Sequence, residues 1–166
     1  MKTEIVTDFK AATFQAKRMF NADLPLVWRA WTEAELLDQW WAPKPWRCET
    51  KSIDFRPKGK WFYEMVGPTG ERHGGMQVYD EIIPEDYFSG TDAFADGEGN
   101  INEDLPVASW RNTFIPTESG TLVESFAKYP NTEALETVLK MGMSEGLSMA
   151  HDNLDAVLTV MTKKTL

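Results

Sequence analysis

Apolar residues near the end of the chain recur at steps of three and four positions. This step is typical of a helix that turns one apolar face toward a core. Asn131 or Thr132 caps its start, and Lys163 and Lys164 place positive charge at its end, where the helix dipole favours it. The pattern predicts one C-terminal helix of about 30 residues, roughly 45 Å long. Its apolar positions are Leu135, Val138, Leu139, Met143, Met149, Leu154, Val157, Leu158 and Met161.

Shorter segments rich in apolar residues, several of them alternating, fill most of the chain before this helix. Turn-forming sequences separate them, such as GPTG at residues 67–70. We predict that these segments are antiparallel strands and that the acidic, glycine-containing segment 95–106 is a loop. The predicted strands span residues 9–20, 47–55, 60–66, 73–83, 87–94, 107–115 and 121–129.

Two short helices are predicted between the first two strands. Asp23 is placed to cap the first helix, and Pro25 suits its first turn. Thr32 and Glu35 have the spacing of a capping box for the second helix, which two prolines then stop. The order of elements indicates an α+β fold. We expect one domain over residues 1–166, in which a curved antiparallel sheet of six or seven strands surrounds the long C-terminal helix.

The composition limits the classes of partner. A chain of 166 residues is long enough to bury a sizeable core. Its formal net charge of -9 opposes binding to nucleic-acid backbones and to anionic membranes, so we expect neither partner. Seven Trp, nine Phe and four Tyr fit a dense core, and they equally fit the wall of an apolar ligand site.

Cysteine content and the N-terminal sequence bear on the cellular compartment. Cys48 is the single cysteine and cannot form an internal disulfide, which is typical of a reducing cytoplasm. The first ten residues include Glu4 and Asp8 and lack the apolar stretch of a signal peptide. No apolar run is long enough to span a bilayer. We therefore expect a cytoplasmic protein, and the sequence leaves a homodimer open.

Two glycines in the predicted helix are the first candidates for a ligand site. Gly142 and Gly146 lie four positions apart on its apolar face, where each glycine disfavours the helix by roughly 1 kcal/mol relative to alanine. One interpretation is close packing of the helix on a strand. The other is a cavity floor, opened by the missing side chains beside Met143 and Met149.

Aromatic residues on the strands supply the second set of candidates. Trp61, Tyr63 and Met65 share one face of a strand, and we predict that this face is concave. Trp110 and Phe114 are expected to line the same wall. For each residue the alternative role is simple filling of the core.

A block of tryptophans and prolines follows the second short helix. Trp40, Trp41 and Trp46 surround Pro43 and Pro45, so the block either closes the mouth of a cavity or anchors a loop. We include Trp41 among the ligand contacts, together with Trp31 from the first short helix.

The sequence offers no catalytic set, metal site or cofactor motif. Asp92, Asp96, Gly97 and Glu103 match four positions of a calcium loop, but Phe94 stands where a ligand is needed, so we expect no calcium. The two histidines, His73 and His151, lack metal-ligand spacing. No nucleophile motif, phosphate-binding loop or dinucleotide fingerprint is present.

Several sequence blocks are similar to a known family. They are residues 25–32 (PLVWRAWT) with 36–41 (LLDQWW), 54–61 (DFRPKGKW), 79–84 (YDEIIP) and 141–146 (MGMSEG). They resemble the family of activator of Hsp90 ATPase homologues, which belongs to the SRPBCC, or START-like (Bet v 1-like), superfamily. The resemblance implies the helix-grip fold. Lys58 stands where that family usually has a second glycine, which alters a turn.

The resemblance implies a class of function more than a reaction. Members of the superfamily bind lipids, sterols, polyketides or plant hormones, and a minority are cyclases or hydrolases. We therefore expect a binding protein for a small hydrophobic molecule. An enzyme on such a molecule is the first alternative, and it would place Tyr63, Asn112 or His73 in the cavity.

A protein-interaction module that assists a chaperone is the second alternative, with Trp40 and Trp41 as the residues to substitute. In the resembled family, chaperone activation needs an additional N-terminal domain. We do not expect this chain to have one.

Overall fold

The computed structural model describes residues 2–164, which form one eight-stranded antiparallel sheet and four helices. The strands lie side by side in the order β1-β2-β8-β7-β6-β5-β4-β3. The expected α+β architecture, with a curved sheet around a long C-terminal helix, is confirmed. The strands are β1 Glu4–Asp8, β2 Thr13–Phe20, β3 Arg47–Ile53, β4 Lys60–Val66, β5 Arg72–Ile83, β6 Tyr87–Ala95, β7 Ala108–Thr117 and β8 Gly120–Lys128.

The four helices pack together on the sheet. Two short ones, α1 Leu24–Thr32 and α2 Ala34–Trp40, follow β2 as expected. The predicted caps are wrong: the Asp23 side chain forms no capping hydrogen bond, and Thr32 ends α1, whereas Glu33 precedes α2. Two more, α3 Thr132–Lys140 and α4 Met143–Lys164, end the described chain. Helix α4 contacts both α1 and α2. None of the helices formed by residues 2–164 combines the length and apolar character that a bilayer-spanning segment requires.

The sheet has eight strands instead of six or seven because an additional strand, β1, precedes the first predicted strand at residues 9–20. Strand β1 pairs with β2 from Glu4 opposite Lys17 to Asp8 opposite Thr13. Its side chains alternate only between exposed and half-buried, so this edge strand carries a weak apolar signal. The chain reverses before Thr13, where Ala12 has a φ of 57°.

The C-terminal segment is two helices, which corrects the prediction of one continuous helix. Gly142 separates α3, of nine residues, from α4, of 22 residues. Its φ is 90°, a conformation that glycine adopts without strain and that commonly ends helices. The Gly142 carbonyl accepts a hydrogen bond from the Gly146 N–H at 2.9 Å, so α4 starts at the same glycine.

Two clusters of buried side chains hold the helices on the concave face of the sheet. The main core is aromatic, with the Trp28 and Phe114 rings 5.0 Å apart between centroids and a hydrogen bond of 2.9 Å from the Trp40 indole N–H to the Ala30 carbonyl. The smaller α3 core joins α3 to the β1–β2 end of the sheet. Its buried members are Ala12, Phe14, Ala16, Ala108, Tyr129, Leu135 and Val138.

Candidate functional site

A cavity of about 320 Å³ lies between the main core and the α3 core, and it is partly open to solvent. Trp41, Tyr63 and Ala150 belong to the side of the main core, whereas Tyr129 and Val138 belong to the α3 core. The cavity therefore lies where the sheet and the C-terminal helices diverge. Its lining residues are Trp41, Pro43, Tyr63, Met65, Gly75, Asp92, Ala93, Phe94, Pro106, Ala108, Tyr129, Val138, Met141, Gly142, Met143, Gly146, Leu147 and Ala150.

Small residues on facing elements leave this space empty. Ala108 on the sheet and Gly146 and Ala150 on α4 bring almost no side-chain volume to the gap. At Gly146, an added Cβ would meet only the Pro43 ring, at 3.8 Å. The space would close if larger residues stood at these positions, because protein interiors otherwise pack densely.

Gly75 serves the cavity by letting Tyr63 lie flat on the sheet. A Cβ at Gly75 would come within 2.3 Å of the Tyr63 ring, which is too close for any real pair of atoms. Gly75 is paired with Tyr63 across β4 and β5, so the ring crosses the neighbouring strand at that point.

Aromatic packing fixes one wall of the cavity. The Trp41 ring lies 5.1 Å from the ring of Trp61 and 6.1 Å from that of Tyr63, both edge to face. Trp61 and Tyr63 are themselves 4.3 Å apart. Because three rings restrain one another, this wall has a defined shape before any ligand arrives.

Asp92 is the charged residue of the lining. Strand β6 alternates so that Asp92 shares the concave face with Phe88 and Phe94. Among the described residues its carboxylate forms no hydrogen bond or ion pair with another side chain or with the backbone. Burial in the apolar surroundings raises the pKa of Asp92 from 3.8 to about 7. The site therefore holds a carboxyl group that changes its charge near neutral pH.

Two tyrosines lie in the lining near this carboxyl group. Burial is the main cause that raises the pKa of Tyr63, and the charge of Asp92 adds to it, whereas the Trp41 indole acts in the opposite direction. Burial followed by Asp92 also raises the pKa of Tyr129. The Tyr129 hydroxyl donates a hydrogen bond to the Met143 sulfur at 3.2 Å. Both phenols therefore stay neutral.

Six of the eleven residues predicted to bind a ligand line the cavity. Their contact with a ligand remains a prediction, but the structure brings them together around one space. Gly142 lines the cavity as predicted, but it lies at the break between α3 and α4 and not inside a helix. The six are Trp41, Tyr63, Met65, Gly142, Met143 and Gly146.

The other five candidates lie away from the cavity. Trp31 and Phe114 are buried in the main core, 5.8 Å apart. Trp61 is 1% exposed and lies behind the wall that Trp41 and Tyr63 form. Trp110 packs on Phe88 at 5.3 Å.

Met149, the fifth of these candidates, is 44% exposed and does not line the cavity. Strand alternation identified the inward face correctly. It did not tell which part of that face is packed solid.

The tryptophan block divides between the two roles proposed for it. Trp41 and Pro43 line the cavity, whereas Trp40 is fully buried in the main core. Trp46 packs on His73, with ring centroids 5.4 Å apart. Trp40 therefore does not belong to a surface that a protein partner could contact.

The residues considered for catalysis and metal binding are dispersed. Of the three catalytic candidates Tyr63 lines the cavity, but Asn112 does not, and its amide oxygen accepts a hydrogen bond of 2.6 Å from Ser125. The Asp96 carboxylate accepts backbone hydrogen bonds of 2.9 Å from Glu98 and Asn100, which shape the loop. Within residues 2–164 no three His, Cys, Asp or Glu side chains are arranged to hold a metal.

Sequence reasoning missed Asp92 as a cavity residue. It considered Asp92 only as the first position of a calcium loop. The available signal was an acidic residue on the inward face of a strand, two positions from Phe94. An acid at such a position has to be neutralised, paired or presented to a ligand.

Solved bacterial structures share this architecture. A Mycobacterium smegmatis protein is 32% identical with a TM-score of 0.88, over 95% of this chain and 97% of that one. An Arthrobacter aurescens protein is 29% identical with a TM-score of 0.89, over 94% and 91%. A Nitrosomonas europaea protein is 26% identical with a TM-score of 0.80, over 92% and 97%.

Sequence comparisons place the chain in a family. A comparison with curated proteins finds no match. The sequence profile of the activator of Hsp90 ATPase homolog 1-like proteins matches residues 21–159, as the resemblance of the separate sequence blocks had implied. The chain belongs to the family of activator of Hsp90 ATPase homolog 1-like proteins.

Proposed function

We propose that this protein binds a small, largely apolar molecule in the cavity between the sheet and the C-terminal helices. The observation that carries the proposal is the cavity itself, about 320 Å³ in volume and lined mainly by apolar and aromatic side chains. Members of this fold family commonly bind hydrophobic molecules, which supports the proposal.

The volume indicates the size of the molecule. An engineered cavity of about 150 Å³ accommodates benzene. A space of about 320 Å³ is roughly twice as large, so a molecule with two six-membered rings, or one ring with a short chain, fits it. Such a molecule would contact the restrained Trp41–Tyr63 wall on one side and Met143 with Leu147 on the other.

Substitution at Gly146 tests the proposal because the position adds volume without a clash. A leucine there would extend beyond Pro43 into the cavity, and replacement of glycine inside α4 also favours the helix by about 1 kcal/mol. We expect Gly146→Leu to keep the fold and to bind the neutral two-ring fluorescent probe 2-naphthol at least about tenfold more weakly than the unsubstituted protein.

Gly146→Ala is the matched control, since it gives the same helical advantage but adds one methyl group. It should keep the affinity for the probe within about twofold. Probe emission measures binding, and circular dichroism verifies the fold. Undiminished binding to a folded Gly146→Leu protein would contradict the proposal, as would a complete lack of binding by the unsubstituted protein.

A further inference from the structure

The geometry points to a ligand class: Asp92 makes the cavity selective for an apolar molecule that carries a protonated amine. This inference rests on the proposed binding function and specifies its ligand. An ammonium group would pair with the carboxylate while the apolar part of the molecule fills the space toward Trp41 and Met143.

The sheet register fixes the direction of the Asp92 side chain. Asp92 is paired with Gln77, and Phe94 with Gly75, across β5 and β6. Directly paired residues of antiparallel strands point to the same face. Asp92 therefore lies on the concave face beside the glycine that accommodates the Tyr63 ring, and a rotation of its side chain cannot bring it to the outer surface.

The carboxylate lacks a partner where one is needed. Among residues 2–164 it accepts no hydrogen bond, and no lysine, arginine or histidine lines the cavity with it. Burial alone raises the pKa of Asp92 to about 7, as expected for a carboxyl group whose charge nothing compensates. A cationic ligand would supply the missing charge and would favour the ionised form.

The aromatic lining suits a cation and disfavours an anion. Four aromatic residues, Trp41, Tyr63, Phe94 and Tyr129, line the space, and aromatic rings attract ammonium groups over their faces. The formal net charge of -9 also draws cations toward the protein. A ligand carboxylate would find a like charge at Asp92 and no basic residue in the lining. The cavity is therefore ill suited to a fatty acid that binds as an anion.

Three probes that differ only in their polar end test this selectivity. They are phenylbutylamine, phenylbutanol and phenylbutyrate, each with one ring and the same chain. Calorimetric titration at pH 8 should give the amine an affinity at least about tenfold higher than that of the alcohol, and phenylbutyrate the weakest binding of the three.

Asp92→Asn should remove this preference while the alcohol binds as before. The control is Asp80→Asn, which removes the same charge from an exposed residue of β5 and should leave the amine preference intact. If net charge alone attracts the amine, both variants would lose affinity equally, and that outcome overturns the inference.

The pH dependence gives a second readout. Apart from Asp92, the titratable groups in the lining are Tyr63 and Tyr129, whose pKa values are raised and which stay neutral over this range. The amine remains protonated, whereas Asp92 is largely ionised at pH 8 and largely protonated at pH 6. Amine binding should therefore weaken about tenfold from pH 8 to pH 6, while alcohol binding changes little.

Phenylbutanol distinguishes the proposed binding function from the proposed selectivity for an amine. If it binds, and Gly146→Leu abolishes its binding, the cavity binds apolar molecules whatever happens with the amine. Equal affinity for amine and alcohol at pH 8, or phenylbutyrate binding at pH 8 that is at least as tight as that of the amine, would then overturn the inference about Asp92 alone. If none of the three binds, the proposed function fails as well.

Discussion

The same sheet and the same helix α4 enclose a solid core at one end and a cavity at the other. At the solid end, Trp28 lies 5.6 Å from Phe88 and 5.0 Å from Phe114, and edges of rings fill the space between elements. At the hollow end, Ala108 and Gly146 stand on the two facing surfaces. Small residues on facing elements therefore determine where the cavity lies, and the presence of aromatic residues alone does not indicate it.

The largest expected difference between the two ends is in the unfolding free energy lost when a phenylalanine is replaced by alanine. Phe114→Ala should reduce the free energy of unfolding by about 3 to 5 kcal/mol, because dense packing leaves a new cavity. Phe94→Ala removes an identical side chain that already borders an open space, so we expect a loss of about 1 to 2 kcal/mol. Urea denaturation measures both. Equal losses would show that the two ends do not differ in packing.

The two ends should also respond to pH in opposite directions. At the solid end, burial first and Arg18 second lower the pKa of His151 from 6.5 to about 4, against the opposing charge of Asp152. Below pH 6.5 His151 takes up a proton in the unfolded chain but not in the folded chain. Its contribution therefore makes stability fall toward pH 4. The full change is about 3 kcal/mol.

Asp92, at the end with the cavity, changes stability with pH in the direction opposite to His151. Its pKa is raised from 3.8 to about 7 on folding, so the folded chain holds a proton that the unfolded chain releases. Its contribution therefore makes stability fall as the pH rises from 3.8 to about 7, by about 4 kcal/mol.

Two variants separate these contributions when denaturation is measured between pH 4 and pH 8. Asp92→Asn should be more stable than the unsubstituted protein at pH 8, with the advantage lost on acidification. His151→Phe should lose less stability than the unsubstituted protein between pH 6.5 and pH 4. If the unfolding free energies of all three proteins changed with pH in parallel, neither residue would contribute as stated.

The smallest expected effects concern the two glycines of the hollow end. Gly142→Ala should reduce stability by about 1 kcal/mol, since a φ of 90° strains any residue with a Cβ. Gly146→Ala should instead raise stability by about 1 kcal/mol, because that glycine lies inside α4 and has open space beside it. Thermal unfolding followed by circular dichroism compares them. Changes of the same sign would contradict the assigned backbone positions.

Much of the fold follows from periodicity, and its two errors have physical reasons. Strands β2 to β8 were predicted because their apolar residues alternate or are bounded by turns. Helices α1 and α2 were predicted from Pro25 at the start of the first and from the prolines that follow the second. Strand β1 was missed because an edge strand buries little. The break at Gly142 was missed because apolar spacing continues from Leu139 to Met143, and a pattern of side chains does not report a backbone dihedral angle.

The sequence predicted which residues face the concave side of the sheet, but it did not predict which part of that side borders the cavity. Tyr63 and Met65 were identified because strand alternation turns them inward. Phe114 is turned inward by the same rule, but it meets Trp28 and Trp31 instead of an opposing small residue. Pairing of distant elements decides that difference, and local sequence does not encode it.

Trp41 also gives the protein an optical property. Of the seven tryptophans, Trp41 is the one that lines the cavity, and the indole fluorophores of the main core have no access to it. Indole emission depends on the polarity next to the ring. A bound molecule would therefore contact one indole directly, and a change in the tryptophan emission of the protein would report occupancy of the cavity without any dye.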